Sequence, residues 1–116
     1  MPNNLFKISK ISGESSSYRY TAEVDSKSHI FKGHFEGQPV VPGVCTLTML
    51  KQCFCDALQR ESVQYESIKE CKFLAAIIPS EHPSLEVNIE FKGDGGVTAE
   101  VVCNEVKMTK LKAIIS

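Results

Sequence analysis

The chain has 116 residues, of which 42% are hydrophobic and 23% charged, and its formal net charge is −1. This composition predicts one globular domain over residues 1–116 and excludes a disordered or collagen-like chain, while the absence of a basic excess argues against binding to nucleic acid or to an anionic membrane. The longest apolar run, residues 74–78, is too short to span a bilayer, and the first residues predict no secretion signal.

Strand-like patterns fill most of the chain on both sides of one helical segment. Alternating apolar and polar residues predict a weak edge strand at residues 5–11 and a clear strand at 18–24. Four more strands follow the helix, and Pro79 ends the first of them. They are predicted at residues 71–77, 85–91, 97–103 and 106–115, with turns at 93–96 and 104–105.

One helix is predicted over residues 44–58, which contain no Gly or Pro and only two charged side chains. An apolar stripe at spacings of three and four residues comprises Leu47, Leu50, Phe54 and Leu58. Because the other positions are mostly Cys, Thr, Met and Ala, we expect the helix to be buried over most of its circumference. The α+β hot-dog fold, a curled antiparallel sheet of five to six strands wrapped round one long central helix, satisfies this pattern.

The cysteines form neither a disulfide pattern nor a zinc pattern. They are odd in number, they contain no Cys-x-x-Cys pair, and no His lies at metal-ligand spacing. Reduced and mostly buried thiols of a cytosolic protein are therefore predicted for Cys45, Cys53, Cys55, Cys71 and Cys103. A nucleophilic thiol is the alternative, and Cys45 is the closest to a helix N-terminus, which lowers a thiol pKa.

Residues 25–43 interrupt the pattern with nineteen positions that show no periodicity. Loops of this length are uncommon inside a compact domain and are usually functional or disordered. Apolar residues such as Ile30 and Phe31 disfavour disorder, and the loop holds two of the three histidines, His29 and His34. An apolar loop shaped by Gly and Pro that carries histidines into a helix start is a candidate active site.

Two chemical features meet in this loop. Apolar rings near His34 would lower its pKa and keep the imidazole neutral, so that it can accept a proton at pH 7. At Gly43 and Val44 the helix start offers free N–H groups and a partial positive charge to a carbonyl oxygen that becomes negative. A base beside an oxyanion site is what proton abstraction next to a thioester carbonyl requires. His29 and His82 lack such a setting and are interpreted as surface or structural residues.

The segment from Gly33 to Val44, GHFEGQPVVPGV, resembles the signature of the 3-hydroxyacyl-acyl-carrier-protein dehydratases of fatty-acid synthesis, the FabZ and FabA type. In that family a Gly-His-Phe-Pro run is followed by a Pro and then by Pro-Gly at the start of the central helix. Gln52 and the pair Lys72 and Phe73 continue the similarity more weakly. The short chain suggests the ApeI-like branch, which serves polyene and other specialised acyl pathways.

The resemblance implies a hot-dog dimer with a continuous sheet and an acyl tunnel at the dimer interface. It implies that His34 is the catalytic histidine and that the N–H groups of Gly43 and Val44 hold the thioester carbonyl. It also implies a substrate delivered on the phosphopantetheine of an acyl carrier protein, and no metal or organic cofactor. The expected reaction is cytoplasmic dehydration of a 3-hydroxyacyl thioester to the trans-2-enoyl thioester.

Two positions depart from the family pattern. Glu36 stands where the family usually has Pro after His-Phe. Thr48 stands five positions after the glycine of Pro-Gly, where the family carries an acidic residue that acts across the dimer interface on the departing hydroxyl. Because a Thr hydroxyl is a poor proton donor, three routes are open. His34 returns the α-proton to the hydroxyl, a different hot-dog subunit in a heterodimer supplies the acid, or, least favoured, Glu36 supplies it.

Two other functions are open for the same fold. An acyl-thioester hydrolase would need a positioned water and usually a carboxylate. A non-catalytic or half-site subunit would bind the acyl carrier and complete or regulate a partner's site. The presence of His34 favours an enzyme. The presence of Thr48 in place of the acid favours a subunit that does not catalyse the reaction itself. An acidic carrier protein has three candidate contact residues, Lys27, Lys32 and Lys51.

Overall fold

The computed structural model describes residues 6–14, 16–24, 41, 43–78 and 82–116. Within these ranges the chain forms six strands and one α-helix, with a short 3-10 turn at Gly93–Gly95. The elements are β1 (Phe6–Glu14), β2 (Ser17–Val24), α1 (Gly43–Leu58), β3 (Tyr65–Phe73), β4 (Ser84–Phe91), β5 (Gly96–Cys103) and β6 (Val106–Ile115). In this part of the chain no helix is long and apolar enough to cross a membrane.

All six strands belong to one antiparallel sheet with the order β1-β2-β4-β5-β6-β3. Burial alternates residue by residue along β5 and along most of β4, so one face of the sheet is apolar and covered while the other is polar. The covered face lies against α1. The predicted hot-dog architecture is therefore confirmed, and β1 and β3 form the two edges of the sheet.

The helix presents its buried face to the concave side of the sheet. Its buried residues are Cys45, Thr46, Met49, Leu50, Cys53 and Phe54. The ring of Phe54 meets the rings of Tyr65 and Phe91 edge-on, with centroids 6.3 and 6.0 Å apart. The predicted stripe is partly wrong, because Leu58 is 37% exposed and Leu47 is only partly buried. Cysteine and threonine take those core places, since they pack as small residues where the sheet comes close.

The third strand lies earlier in the chain than predicted. β3 spans Tyr65–Phe73, so the strand predicted at residues 71–77 starts six residues and ends four residues too late. Beyond Phe73 the N–H groups of Leu74 and Ala75 both donate to the Met108 carbonyl, at 2.8 and 3.2 Å, which ends the regular ladder with β6. Two register shifts and a charged composition hide the period of the true strand.

Both predicted hairpin turns are present and carry the backbone angles that such turns need. Asp94 and Gly95 have φ of 64° and 79°, and Asn104 and Glu105 have φ of 50° and 69°. A Cβ at Gly95 would also lie 2.7 Å from the Ile115 carbonyl oxygen. The turn between β4 and β5 therefore requires glycine at that position.

Two buried acids make the stability of the fold sensitive to alkaline pH. Burial, with a further contribution from the Asp56 carboxylate, raises the pKa of the Cys53 thiol to about 12. Burial also raises the pKa of Tyr20, whose hydroxyl donates a hydrogen bond to Asp56 Oδ2 at 2.6 Å. Each group stays neutral in the folded protein at a pH where it ionises in the unfolded chain. Stability is therefore full below the unfolded pKa values and falls as pH rises from about 9 toward the folded ones.

Cys53→Ala is expected to make this alkaline loss of stability shallower. One thiol contributes at most about 1.4 kcal/mol per pH unit to the slope. Urea unfolding at a series of pH values between about 8 and about 11 measures it. Val97→Ala is the matched control, because it opens a buried apolar site without a titratable group and should lower stability equally at every pH. An unchanged slope in Cys53→Ala would refute the assignment.

Candidate functional site

The start of α1 is a positively polarised helix end. Gly43 is its first residue, and its first turn contains no acidic side chain. The N–H groups of a helix's first turn have no partner within the helix and carry the positive end of its dipole. Just before it, the Val41 N–H donates to the Ile77 carbonyl at 2.8 Å, which fixes the approach to the helix against the segment that follows β3.

The helix begins at glycine because an aromatic ring lies against that position. A Cβ added at Gly43 would be 2.8 Å from Cζ of Phe73, the last residue of β3, which is closer than real Cβ contacts come. The Phe73 ring itself is 53% exposed, and Val44 beside it is 68% exposed. The helix start therefore lies near the surface of this chain, and the Phe73 side chain borders it.

A small cavity of about 240 Å³ opens beside Gly43. It is bounded by Val41, Gly43 and Thr46 at the helix start, by Phe73 and residues 75–77 after β3, and by Thr109 of β6. The lining is mostly apolar, and none of these residues is Asp, Glu or His. The described lining thus joins the start of α1 to a mostly apolar space and contains no carboxylate.

Thr48 faces a different part of the surface. Its Oγ1 donates to the Val44 carbonyl oxygen at 2.9 Å, the bond of a threonine to its own preceding turn. It borders a separate and wider cleft of about 690 Å³ together with Lys51, Gln52 and Asp56. Within this one chain the structure therefore does not bring Thr48 and Gly43 into the same cavity, and the Thr48 hydroxyl proton is already engaged.

The predicted catalytic histidine lies outside the described residues. The same is true of His29, Lys27, Lys32 and Glu36. His82 is described, and its Nδ1 accepts a hydrogen bond from the Ile78 N–H at 2.9 Å while its own backbone N–H donates to the Ile78 carbonyl at 2.7 Å. These contacts support the structural role predicted for His82.

The cysteines are free thiols, and Cys45, Cys53 and Cys103 are buried. Burial raises the pKa of Cys45, which is the opposite of what an activated nucleophile needs. Cys45 therefore belongs to the core despite its position near the helix start. Within the described ranges, no three side chains of the His, Cys, Asp or Glu type come together as a set of metal ligands.

The sequence patterns do not single out Thr109, a polar residue that lines the cavity. Thr109 is 1% exposed, and its Oγ1 has no hydrogen-bond partner among the residues that the structure describes. The only signal was a threonine within the alternating pattern of β6, where Leu111, Ala113 and Ile115 are also buried. A threonine in a strand is ordinary, so the pattern alone gave no reason to single it out.

Comparison with known proteins places these observations in a family. The sequence profile of the family described as ApeI-like, ApeI dehydratase, matches residues 10–110. The 3-hydroxyacyl-[acyl-carrier-protein] dehydratase FabZ of Ehrlichia chaffeensis is 36% identical over 66 residues, which are 53% of this chain and 46% of that protein. The FabZ of Erwinia tasmaniensis is 29% identical over 112 residues, 82% of this chain and 74% of that one. The chain thus spans about half and about three quarters of these two relatives.

Solved structures share the fold at low sequence identity. The dehydratase heterocomplex ApeI:P from Xenorhabdus doucetiae superposes with a TM-score of 0.73 at 18% identity, covering 92% of this chain and 93% of that one. The HP0420 homologue from Helicobacter felis gives a TM-score of 0.66 at 15% identity, covering 99% and 90%. At these identities the likeness establishes the architecture.

Proposed function

Because the chain belongs to the family of ApeI-like dehydratases, we propose that residues 1–116 act as a single hot-dog domain that removes water from a 3-hydroxyacyl thioester. The product is the trans-2-enoyl thioester. The observation that carries the proposal is the cavity beside Gly43, where free helix N–H groups adjoin a small apolar space. Such N–H groups stabilise a carbonyl oxygen that becomes negative, which is the charge that α-proton removal creates.

In the proposed mechanism the thioester carbonyl accepts hydrogen bonds from the N–H groups of Gly43 and Val44. His34 takes the proton from C2, and the electron pair of that C–H bond forms the double bond between C2 and C3. The hydroxyl leaves C3 and combines with a proton to form water. The described lining near Gly43 offers no carboxyl for that last proton, and the Thr48 hydroxyl is bonded to Val44. The proton therefore comes from His34 itself, from a second subunit or, least favoured, from Glu36.

The substrate carrier we propose is an acyl carrier protein with its phosphopantetheine arm, in the cytoplasm. The names of the FabZ relatives support this, since they specify substrates on acyl carrier protein. Of the three candidate lysine contacts, Lys51 is described, and its ammonium lies 5.8 Å from the centre of the Tyr65 ring. That contact orients the charge at the mouth of the cleft beside Thr48.

The proposed reaction is separated from thioester hydrolysis by its product. We expect the purified chain to convert a short 3-hydroxyacyl pantetheine thioester into a conjugated enoyl thioester, which absorbs in the ultraviolet. Hydrolysis would instead release the free acid and a thiol, which a thiol reagent detects. Among the described residues that line the cavity at Gly43 there is no carboxylate to activate a hydrolytic water, which favours elimination. Thiol release without enoyl formation would overturn the proposal.

A second hot-dog subunit is the partner we propose, either another copy of this chain or a different chain that carries the missing acid. β3 is an edge strand, and its residues Ile68 and Phe73 pair across the ladder with buried Ala113 and Thr109. Directly opposed residues share a face of the sheet, so both side chains belong to the concave, apolar face. Ile68 is nevertheless 44% exposed in the single chain. A neighbour joined at β3 would cover it, and the relative that is a dehydratase heterocomplex supports such an assembly.

Ile68→Asp is expected to weaken this assembly by at least tenfold in dissociation constant, because burying an unpaired carboxylate is strongly unfavourable. Light scattering during gel filtration measures the change in mass. Ile11→Asp is the matched control, since Ile11 is 56% exposed on β1 at the opposite edge of the sheet. Equal behaviour of both variants and the wild-type chain would contradict assembly through β3.

A further inference from the structure

The hydroxyl of Thr109 is a buried polar group without a partner in the described part of the chain. Its position results from an irregularity in β6, where Thr109 pairs with Val101 and Lys107 pairs with Val102, leaving Met108 as an extra residue. This bulge allows the consecutive residues Met108 and Thr109 both to be buried. The bulge in β6 thus places a threonine beside the cavity at Gly43.

A hydroxyl in this position is unfavourable unless something bonds to it. The cavity that Thr109 borders has a volume of about 240 Å³. At about 30 Å³ for each water-sized group, this holds on the order of eight non-hydrogen atoms. The neighbouring lining from Val41, Phe73 and Ala75 offers apolar side chains. None of the described residues supplies that bond, which leaves an occupant of the cavity as a partner for the Thr109 hydroxyl.

We propose that Thr109 is a specificity-determining residue whose hydroxyl forms a hydrogen bond with the 3-hydroxyl of the bound acyl group. This inference rests on the proposed function, because it takes the thioester carbonyl to lie at the N–H groups of Gly43 and Val44. The 3-oxygen is attached two carbons beyond that carbonyl carbon, so in a cavity this small it falls within the space that Thr109 borders. Rotation about χ1 of a threonine moves its hydroxyl between three staggered positions without backbone movement.

The proposed bond distinguishes substrate from product. It exists while the oxygen is attached to C3 and is lost when that oxygen departs as water. The enoyl product therefore leaves Thr109 unpartnered again, and the cavity holds it more weakly than the substrate. A hydroxyl-bearing acyl group is selected over a saturated one of the same length for the same reason.

Two ligands that are not turned over test this inference by calorimetry on the purified full chain. They are the 3-hydroxybutanoyl and butanoyl amides of aminopantetheine, in which nitrogen replaces the thioester sulfur and makes the C2 proton too weakly acidic to remove. We expect Thr109→Val, which keeps the shape and loses the hydroxyl, to reduce the preference for the hydroxylated ligand about three- to tenfold. Affinity for butanoyl amide should be unchanged.

Thr109→Ser is the matched variant that retains the hydroxyl, and it should keep the wild-type preference. Thermal unfolding is expected to show Thr109→Val at least as stable as the wild type, since an unpartnered hydroxyl is replaced by a methyl group. A preference unchanged in Thr109→Val, equal weakening of both ligands, or no binding of either ligand to the folded wild type would each overturn the inference. If the chain shows no turnover but its preference for the hydroxylated ligand depends on Thr109, the inference is supported and the proposed dehydration is refuted.

Discussion

His34→Ala is expected to lower kcat for dehydration by about 10²- to 10⁴-fold, the usual contribution of a general acid–base residue. In the proposed mechanism none of the described side chains bordering the cavity at Gly43 can take the C2 proton, because that lining contains no Asp, Glu or His. KM should change little, since the N–H groups of the helix start still hold the carbonyl. Initial rates of enoyl formation at saturating substrate measure the effect.

The control for this variant is His82→Ala. His82 accepts a hydrogen bond from the Ile78 N–H and so supports the segment after β3 rather than the reaction. Its loss should lower the melting temperature while kcat stays within about twofold of the wild type. Equal loss of kcat in both variants would mean that histidine replacement acts through folding. Full activity of a folded His34→Ala protein would remove the base from the mechanism.

Thr48→Glu is expected to raise the rate of dehydration, by up to about 10²- to 10⁴-fold, or 3–5 kcal/mol of activation free energy. The family resemblance places a proton-donating acid at this helix position, acting across a subunit interface. Thr48 is only partly buried and opens onto the cleft, so a carboxyl can be accommodated there. The substitution removes one hydrogen bond, that from Thr48 Oγ1 to the Val44 carbonyl oxygen. The same oxygen accepts a backbone hydrogen bond within the helix, so it keeps a partner.

Gln52→Glu is the matched control for this gain. Gln52 lies one turn further along α1 and borders the same cleft, so the variant adds the same charge at a position without the proposed role. It should leave the rate near that of the wild type. If Thr48→Glu gives no gain in a folded assembly, the position does not supply the acid. A gain of the same size in both variants would indicate a general effect of added negative charge on the cleft.

The unbroken patterns in the sequence predicted their elements closely. The clear alternation of β2, β4 and β5 placed each strand within one residue of its observed start, and the helix begins at Gly43 rather than Val44. In these strands one face is buried and the other is exposed, so apolar and polar residues alternate along the sequence and reveal the strand. The turn at residues 93–96 was equally predictable, since its geometry needs glycine.

The edge strand and the helix contacts were harder to predict. β3 has apolar residues that the single chain leaves partly uncovered, and its register shifts twice, so its sequence lacks a clean period. On α1, the buried face depends on how closely the curled sheet approaches, which allows Cys53 and Thr46 into the core and leaves Leu58 exposed. Such choices depend on contacts between elements distant in the chain, which periodicity does not report.

The candidate site also combines features that the sequence predicts with features that depend on contacts between distant elements. Gly43 and Val44 are predicted from the position of the helix start alone, because the first N–H groups of a helix have no partner within it. The contact of Phe73 with Gly43 and the burial of Thr109 depend on the meeting of β3, β6 and α1. Thr109 in particular is buried through a bulge one residue away. No local pattern indicates which threonine of a strand will border a cavity.

Elimination of water by this chain through His34 is tested by the product formed from a 3-hydroxyacyl group carried on acyl carrier protein. Wild type and His34→Ala, each purified alone and shown to be folded, are incubated with the loaded carrier, and the acyl group is identified by mass spectrometry. We expect an acyl group lighter by one water with the wild type and an unchanged one with the variant. Unchanged substrate with both proteins would contradict a stand-alone dehydratase and direct the search to the subunit that supplies the acid.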